Sequence, residues 1–236
     1  MTDPPLRRVR SFVRRAGRMT RAQARAMAEL WPRFGIDVPA GPLDLDGVFG
    51  RHGARMMEIG FGDGEALAEF ALDHPQVDCL GVEVHEPGVG HLLLALDARK
   101  IGNVRIICHD AVEVLDGWLA PASFDRVHLF FPDPWPKKRH HKRRIVQPVF
   151  LEKLALALKP DGVLHMATDW TPYAEHMQEV ADASPWFDPL DDTGAGDAPG
   201  GRPETKFERR GLRLGHEVRD LLYRRNDAPV SPRTPG

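Results

Sequence analysis

The sequence predicts an α/β fold built on a mainly parallel, doubly wound sheet. Three observations predict it. Short apolar runs alternate with longer amphipathic ones from about Arg55 to Asp169. A glycine-rich turn stands between the first apolar run and the amphipathic run after it. The connections between successive runs are short, as in strand–helix–strand units.

Strands are expected where the runs are short and apolar: Arg55–Ile59, Cys79–Val84, Val104–Cys108, Asp125–Phe131 and Val163–Ala167. Helices are expected between and after them, at Glu65–Leu72, Gly88–Lys100, Ala111–Trp118, Gln147–Leu158 and Pro172–Ala183. Lys159-Pro160-Asp161-Gly162 is a turn signal ahead of the fifth strand. The stretch 191–201 is a loop by composition. Glu204–Phe207 and Glu217–Arg225 look extended and predict a C-terminal antiparallel hairpin that closes the sheet. Residues 228–236 are proline-rich and expected to be disordered. The expected organisation is an Arg-rich extension over 1–50, an α/β domain over 51–227 and a short tail.

The 236 residues carry a formal net charge of −2, so charge on average does not point to a nucleic-acid binder. Its distribution does. The first 25 residues hold eight arginines and one acid, Asp3, so the extension over 1–50 is expected to contact RNA rather than the core, and Lys137–Arg144 packs six permanent cations into eight residues. The two cysteines, Cys79 and Cys108, lie in apolar runs, with spacing for neither zinc nor a disulfide framework. A reduced, cytoplasmic setting is expected, with no bound metal. No run approaches the ~18 apolar residues of a spanning helix.

Glu58-Ile59-Gly60-Phe61-Gly62-Asp63-Gly64 ends a strand and opens a helix, and Glu83 ends the next strand. Gly60 and Gly62 allow backbone to approach a ligand. The spacing is G-x-G-x-G, not the dinucleotide G-x-G-x-x-G, and Glu58 and Asp63 make the turn acidic. Such a turn disfavours pyrophosphate and suits a cation with an amino group and a sulfonium, as in S-adenosylmethionine. Glu83 is placed to take ribose hydroxyls, and Asp110 an adenine amino group.

After the fourth strand comes Phe130-Phe131-Pro132-Asp133-Pro134-Trp135-Pro136-Lys137. Pro132, Pro134 and Pro136 stiffen the loop around Asp133, and Trp135 offers a face for a base. The cations follow at once, so phosphates could lie beside a held base. Asp169, in Ala167-Thr168-Asp169-Trp170, is a further candidate, with a helix N-cap as the competing reading. Three other functions remain open on these residues alone: a nicotinamide-dependent oxidoreductase, a non-catalytic RNA-binding module, and a small-molecule methyltransferase.

These residues resemble the tRNA (guanine-N7-)-methyltransferases of the bacterial single-chain type. The resemblance covers the glycine turn, the Pro-Asp-Pro-Trp-Pro loop with Arg139-His140, and Ala167–Trp170. It extends to Arg10–Met19, Leu30–Gly35 and Thr205–Glu208. It implies a Rossmann-like class I methyltransferase domain and methylation of N7 of guanosine 46 in the tRNA variable loop. It implies cofactor contacts from Glu58, Glu83, Asp110 and Asp133, with Asp133 also catalytic. It implies substrate contacts from Lys137, Asp169, Thr205, Lys206, Phe207 and Glu208. RNA contacts would come from Arg139, His140, His141, Lys142, Arg143 and Arg144. No obligate protein partner is implied, and a monomer is the default.

Overall fold

The computed structural model describes residues 17–190 and 217–230. Seven strands form one sheet: β1 (Arg55–Ile59), β2 (Asp78–Val82), β3 (Val104–Ile107), β4 (Phe124–Phe130), β5 (Leu158–Thr168), β6 (Phe187–Pro189) and β7 (Arg219–Arg225). The order is β3-β2-β1-β4-β5-β7-β6. Strands β1 to β5 pair in parallel, and β7 runs antiparallel to both β5 and β6. The expected doubly wound sheet with an antiparallel closure is therefore present.

Seven helices accompany it among the described residues: α1 (Arg21–Phe34), α2 (Leu45–Phe49), α3 (Glu65–Asp73), α4 (Glu86–Ala98), α5 (Ala111–Gly117), α6 (Pro148–Ala157) and α7 (Thr171–Asp182). Alternation along the strands sorts the core into two layers. Met56, Cys79 and Ile106 join the cluster that includes Ala26 and Phe34 of α1, Phe70 of α3 and Leu92 of α4. Their sequence neighbours Met57, Leu80 and Ile107 join the cluster that includes Val114 of α5, Leu154 of α6 and Tyr173 of α7. Near-continuous apolar strands are what a sheet covered on both faces requires.

One expectation changes. Residues 17–50 do not stand apart from the domain. Thr20 and Gln23 cap α1 reciprocally, at 3.2 and 2.8 Å. Gln23 Nε2 also donates to the Pro87 carbonyl at the start of α4 (3.0 Å), and Phe34 is fully buried. Burying one such phenylalanine contributes about 1.5–3 kcal/mol, so the arginines ride on a helix whose other face belongs to the core. The antiparallel closure is made, among the described residues, by β6 and β7, with Phe187 buried at the sheet edge. Glu204–Phe207 lies outside the described residues. The Lys159–Gly162 turn is present as an irregularity at the start of β5, with Asp161 at φ 62°.

The strand order reverses between β1 and β4. Open α/β sheets bind ligands at that switch, beyond the carboxyl ends of the strands.

Candidate active site

The glycine turn leaves β1 at this switch. Gly60, Gly62 and Gly64 have φ of 71°, 61° and 78°, a region L side chains rarely adopt. Glu83, just beyond β2, holds the turn. Its Oε2 accepts from Gly62 N (2.9 Å), and its Oε1 from Val84 N (2.6 Å) and His85 N (2.9 Å). Three of about four acceptor positions on the carboxylate are thus taken by backbone, leaving room for one further donor. The start of α4 closes on the turn from the other side. A side-chain carbon at Gly88 would overlap the Gly62 carbonyl oxygen, and one at Gly64 would lie 2.8 Å from Leu92. His91 Nδ1 sits 2.8 Å from the Asp63 carbonyl oxygen.

Glu58 points into this enclosure from β1. It is 3% exposed, and its Oε2 is buried with no hydrogen-bond partner among the described residues. A buried carboxylate oxygen left unpaired is costly and calls for a donor. Burial, together with the nearby Asp63 and Glu83 carboxylates, pushes the Glu58 carboxyl up to about 8. The orphaned oxygen and three clustered acids fit a ligand that brings a cationic amino group.

The same arrangement gives a sign for stability. A carboxyl raised from 4.5 when unfolded to about 8 when folded costs nothing below 4.5. The cost grows as pH rises through that window and is complete above about 8. In the ligand-free protein, Glu58→Gln should therefore raise the melting temperature more at pH 8.5 than at pH 4.5. The same variant should bind S-adenosylhomocysteine more weakly. Melting curves at both pH values and calorimetry check the pair. An equal shift at both pH values would show that burial of a charge at Glu58 is not the cause.

Asp110 follows β3 and caps α5, its Oδ1 accepting from Val112 N at 3.0 Å. That leaves Oδ2 for a ligand donor. Its neighbour His109 stacks on Trp118 at 4.8 Å and lies 2.6 Å from the Glu113 carboxylate, which fixes the local wall of the crevice.

Asp133 is exposed on the loop after β4. Phe131 and Trp135 on either side of Pro132-Asp133-Pro134 have φ of 50° and 44°. Bulky residues at positive φ cost about 1–3 kcal/mol each and persist only where their surroundings enforce them. Phe131 N is tied to the Ala167 carbonyl of β5 at 2.8 Å. Trp135 is packed by the basic run, with the Arg143 guanidinium 4.8 Å over its ring and His140 edge-on at 5.8 Å. One face of the indole is therefore covered by Arg143.

The basic run is a single 3-10 helix, Lys138–Arg143. Lys137, Lys138, Arg139 and Lys142 are exposed, and His140 and His141 half-buried. Arg144 departs from the expected RNA contact. It is 4% exposed, and its Nε donates to the Pro134 carbonyl at 3.0 Å. Burial turns its charge inward, onto the loop. Asp169, just beyond β5, is half-buried and is not the N-cap of α7; Trp170 holds that position without a side-chain bond. Thr205, Lys206, Phe207 and Glu208 lie outside the described residues.

Glu58, Glu83, Asp110, Asp133 and Asp169 thus gather at the carboxyl ends of the five parallel strands, in chain order. Gly88, His91 and Tyr173 escaped sequence reasoning. Gly88 and Gly90 had left a signal, since two glycines near the start of a helix weaken it unless something packs there.

The fold is the Rossmann-like fold of class I methyltransferases. A family model described as "Putative methyltransferase" matches residues 53–221. The chain belongs to the tRNA (guanine-N(7)-)-methyltransferase family. It is 56% identical to the tRNA (guanine-N(7)-)-methyltransferase of Alkalilimnicola ehrlichii, over 94% of this chain and 95% of that protein. Among solved structures, the 16S rRNA methyltransferase KamB is similar, with a TM-score of 0.54 and 14% identity, covering 82% of this chain and 99% of that one. The cyclase SpnF is similar too, with a TM-score of 0.50 and 16% identity, covering 86% and 81%. A cyclase and a methyltransferase on one fold show that the fold alone does not choose the reaction. The long sequence match does that.

Proposed function

We propose that this enzyme transfers a methyl group from S-adenosylmethionine to N7 of guanosine 46 in the variable loop of tRNA, in the cytoplasm. The observation that carries the reading is the placement of Asp133: an exposed carboxylate on a strained loop, between the acid-lined turn and an exposed cationic helix. When bound, S-adenosylmethionine supplies an electrophilic methyl group on a sulfonium.

The chain's residues divide the remaining work. Glu58 receives the cofactor's amino group, Glu83 its ribose, and Asp110 its adenine. Guanine N7 carries a lone pair and no proton, so Asp133 need not act as a base. As N7 bonds to the methyl carbon and the carbon–sulfur bond breaks, positive charge passes from sulfur to the purine. The Asp133 carboxylate stabilises that charge where it develops. Asp169 and the Thr205–Glu208 stretch help to hold the base, and Lys137, Lys138, Arg139 and Lys142 hold phosphates. Positioning of this kind can lower a barrier by ~7–11 kcal/mol. The test is incubation of the protein with unmodified tRNA and methyl-labelled cofactor, followed by digestion to nucleosides. Label in 7-methylguanosine supports the reading, and tRNA left unlabelled refutes it.

Phosphate contacts also make affinity fall with salt. Four exposed cations imply a log–log slope of about −3, or roughly 60-fold weaker tRNA binding between ~50 and ~200 mM salt. Fluorescence titrations at the two concentrations check this. A flat response would remove the cationic helix from the RNA surface.

A further inference from the structure

Six permanent cations between Lys137 and Arg144 read as one RNA-facing run, yet the last of them faces the opposite way. The Arg144 guanidinium is surrounded by protein. Its Nε donates to the Pro134 carbonyl at 3.0 Å and its Nη1 to the Pro172 carbonyl at 3.5 Å. Its Nη2 lies 3.2 Å from His141 Nε2, and its Cζ lies over the Tyr173 ring, 4.9 Å from the ring centre. Tyr173 is itself fully buried in α7, and its hydroxyl accepts from Val146 N at 3.5 Å. The fork is therefore seated on an aromatic platform anchored in the core.

What the fork joins matters more than its burial. Pro134 directly follows Asp133. Pro172 lies three residues beyond Asp169. One guanidinium thus ties the segment carrying Asp133 to the segment carrying Asp169. The loop needs such a tie. Pro132, Pro134 and Pro136 have no N–H to offer, so a carbonyl is the natural handle. Positive φ at Phe131 and Trp135 gives the loop a reason to relax if that handle is released.

We propose that Arg144 is a positioning residue for methyl transfer, holding the Asp133 loop at a fixed height above the α7 N-terminus, and not a phosphate ligand. The inference rests on the methyl-transfer reading above. Its effect on the reaction runs through Asp133, which touches the base, so its loss should appear in turnover. A shift of about 1 Å in a reacting group can cost on the order of 10²-fold in rate.

Two variants test it. Arg144→Gln removes the charge and the fork. Arg144→Lys keeps the charge and loses the planar fork, so it guards against a misfolded glutamine variant. The expected result for Arg144→Gln is a kcat lowered about 10²-fold, with KM for tRNA and the salt slope of binding near wild type. Arg144→Lys should fall about tenfold, in the same direction. In the free protein, hydrogen exchange should quicken at the amides of Phe131, Asp133, Trp135 and Lys137 in both variants, while β1 and β4 stay protected. A retained kcat with raised KM and a shallower salt slope would make Arg144 a phosphate contact and overturn the proposal. So would unchanged exchange in the loop, or loss of protection throughout the sheet in both variants. A wild-type protein that leaves tRNA unmethylated would refute the reaction itself, while loop exchange would still report on the tie.

Discussion

Asp133→Asn should fold as the wild type does and lose about 10²–10³-fold in kcat, the range seen when one preorganised charge-stabilising group is removed. The side chain is exposed and the substitution nearly isosteric, so melting temperature should move little. Asparagine can still accept a hydrogen bond, and it keeps the loop geometry set by the flanking prolines. It cannot supply negative charge beside a purine that is becoming cationic. Cofactor affinity should weaken by no more than about tenfold, the equivalent of one hydrogen bond. Steady-state kinetics with tRNA, alongside calorimetry with S-adenosylhomocysteine, separate the two effects. Full turnover in Asp133→Asn would remove Asp133 from the chemistry and leave positioning alone.

Gly88→Ala should destabilise the protein and abolish measurable cofactor binding. Two effects oppose each other. Alanine is a better helix former than glycine by about 1 kcal/mol, and Gly88 lies in α4. Against that, the added carbon would overlap the Gly62 carbonyl oxygen, which is backbone and cannot swing aside. Overpacking of this kind costs about 1–3 kcal/mol, so the net sign is destabilising. Relief requires the turn to move, which displaces the Gly62 N–H from Glu83, or α4 to retreat, which opens the enclosure around the turn. Gly102→Ala is the matched comparison, since a carbon added there meets nothing within 4 Å. It should stay within about 0.5 kcal/mol of wild type. Denaturant melts and calorimetry on both variants check this. Unimpaired binding in Gly88→Ala would mean that the α4 start does not shape the cofactor turn.

The strands and the candidate acids were legible because they follow from patterns local in sequence. β1 shows its apolar run with the expected bounds, and α3 begins at Glu65 where the glycine turn ends. The acids follow because parallel strands place all their carboxyl ends on one edge. The direction of a side chain is not local. Arg144 carries the same charge as its neighbours, and only the Tyr173 platform turns it inward. Glu83 was expected to face a ribose, and three backbone N–H groups hold it first. The Arg-rich extension over 1–50 is expected on RNA rather than on the core, and from residue 20 Thr20 with Gln23 caps a helix instead. What decided between them was the burial of Ala26 and Phe34, a contact between segments remote in the chain. The β6 strand has three residues and ends in proline, too little pattern to detect.

Methylation at N7 of guanosine 46 in the tRNA variable loop is the proposal on which the roles of Asp133 and Arg144 rest. The most direct measurement uses two transcripts of one tRNA, with guanosine or adenosine at position 46, methyl-labelled cofactor, and identification of every labelled nucleoside after digestion. The expected result is 7-methylguanosine from the first transcript and no label in the second. Equal label in both transcripts, or label in any nucleoside other than 7-methylguanosine, would contradict it.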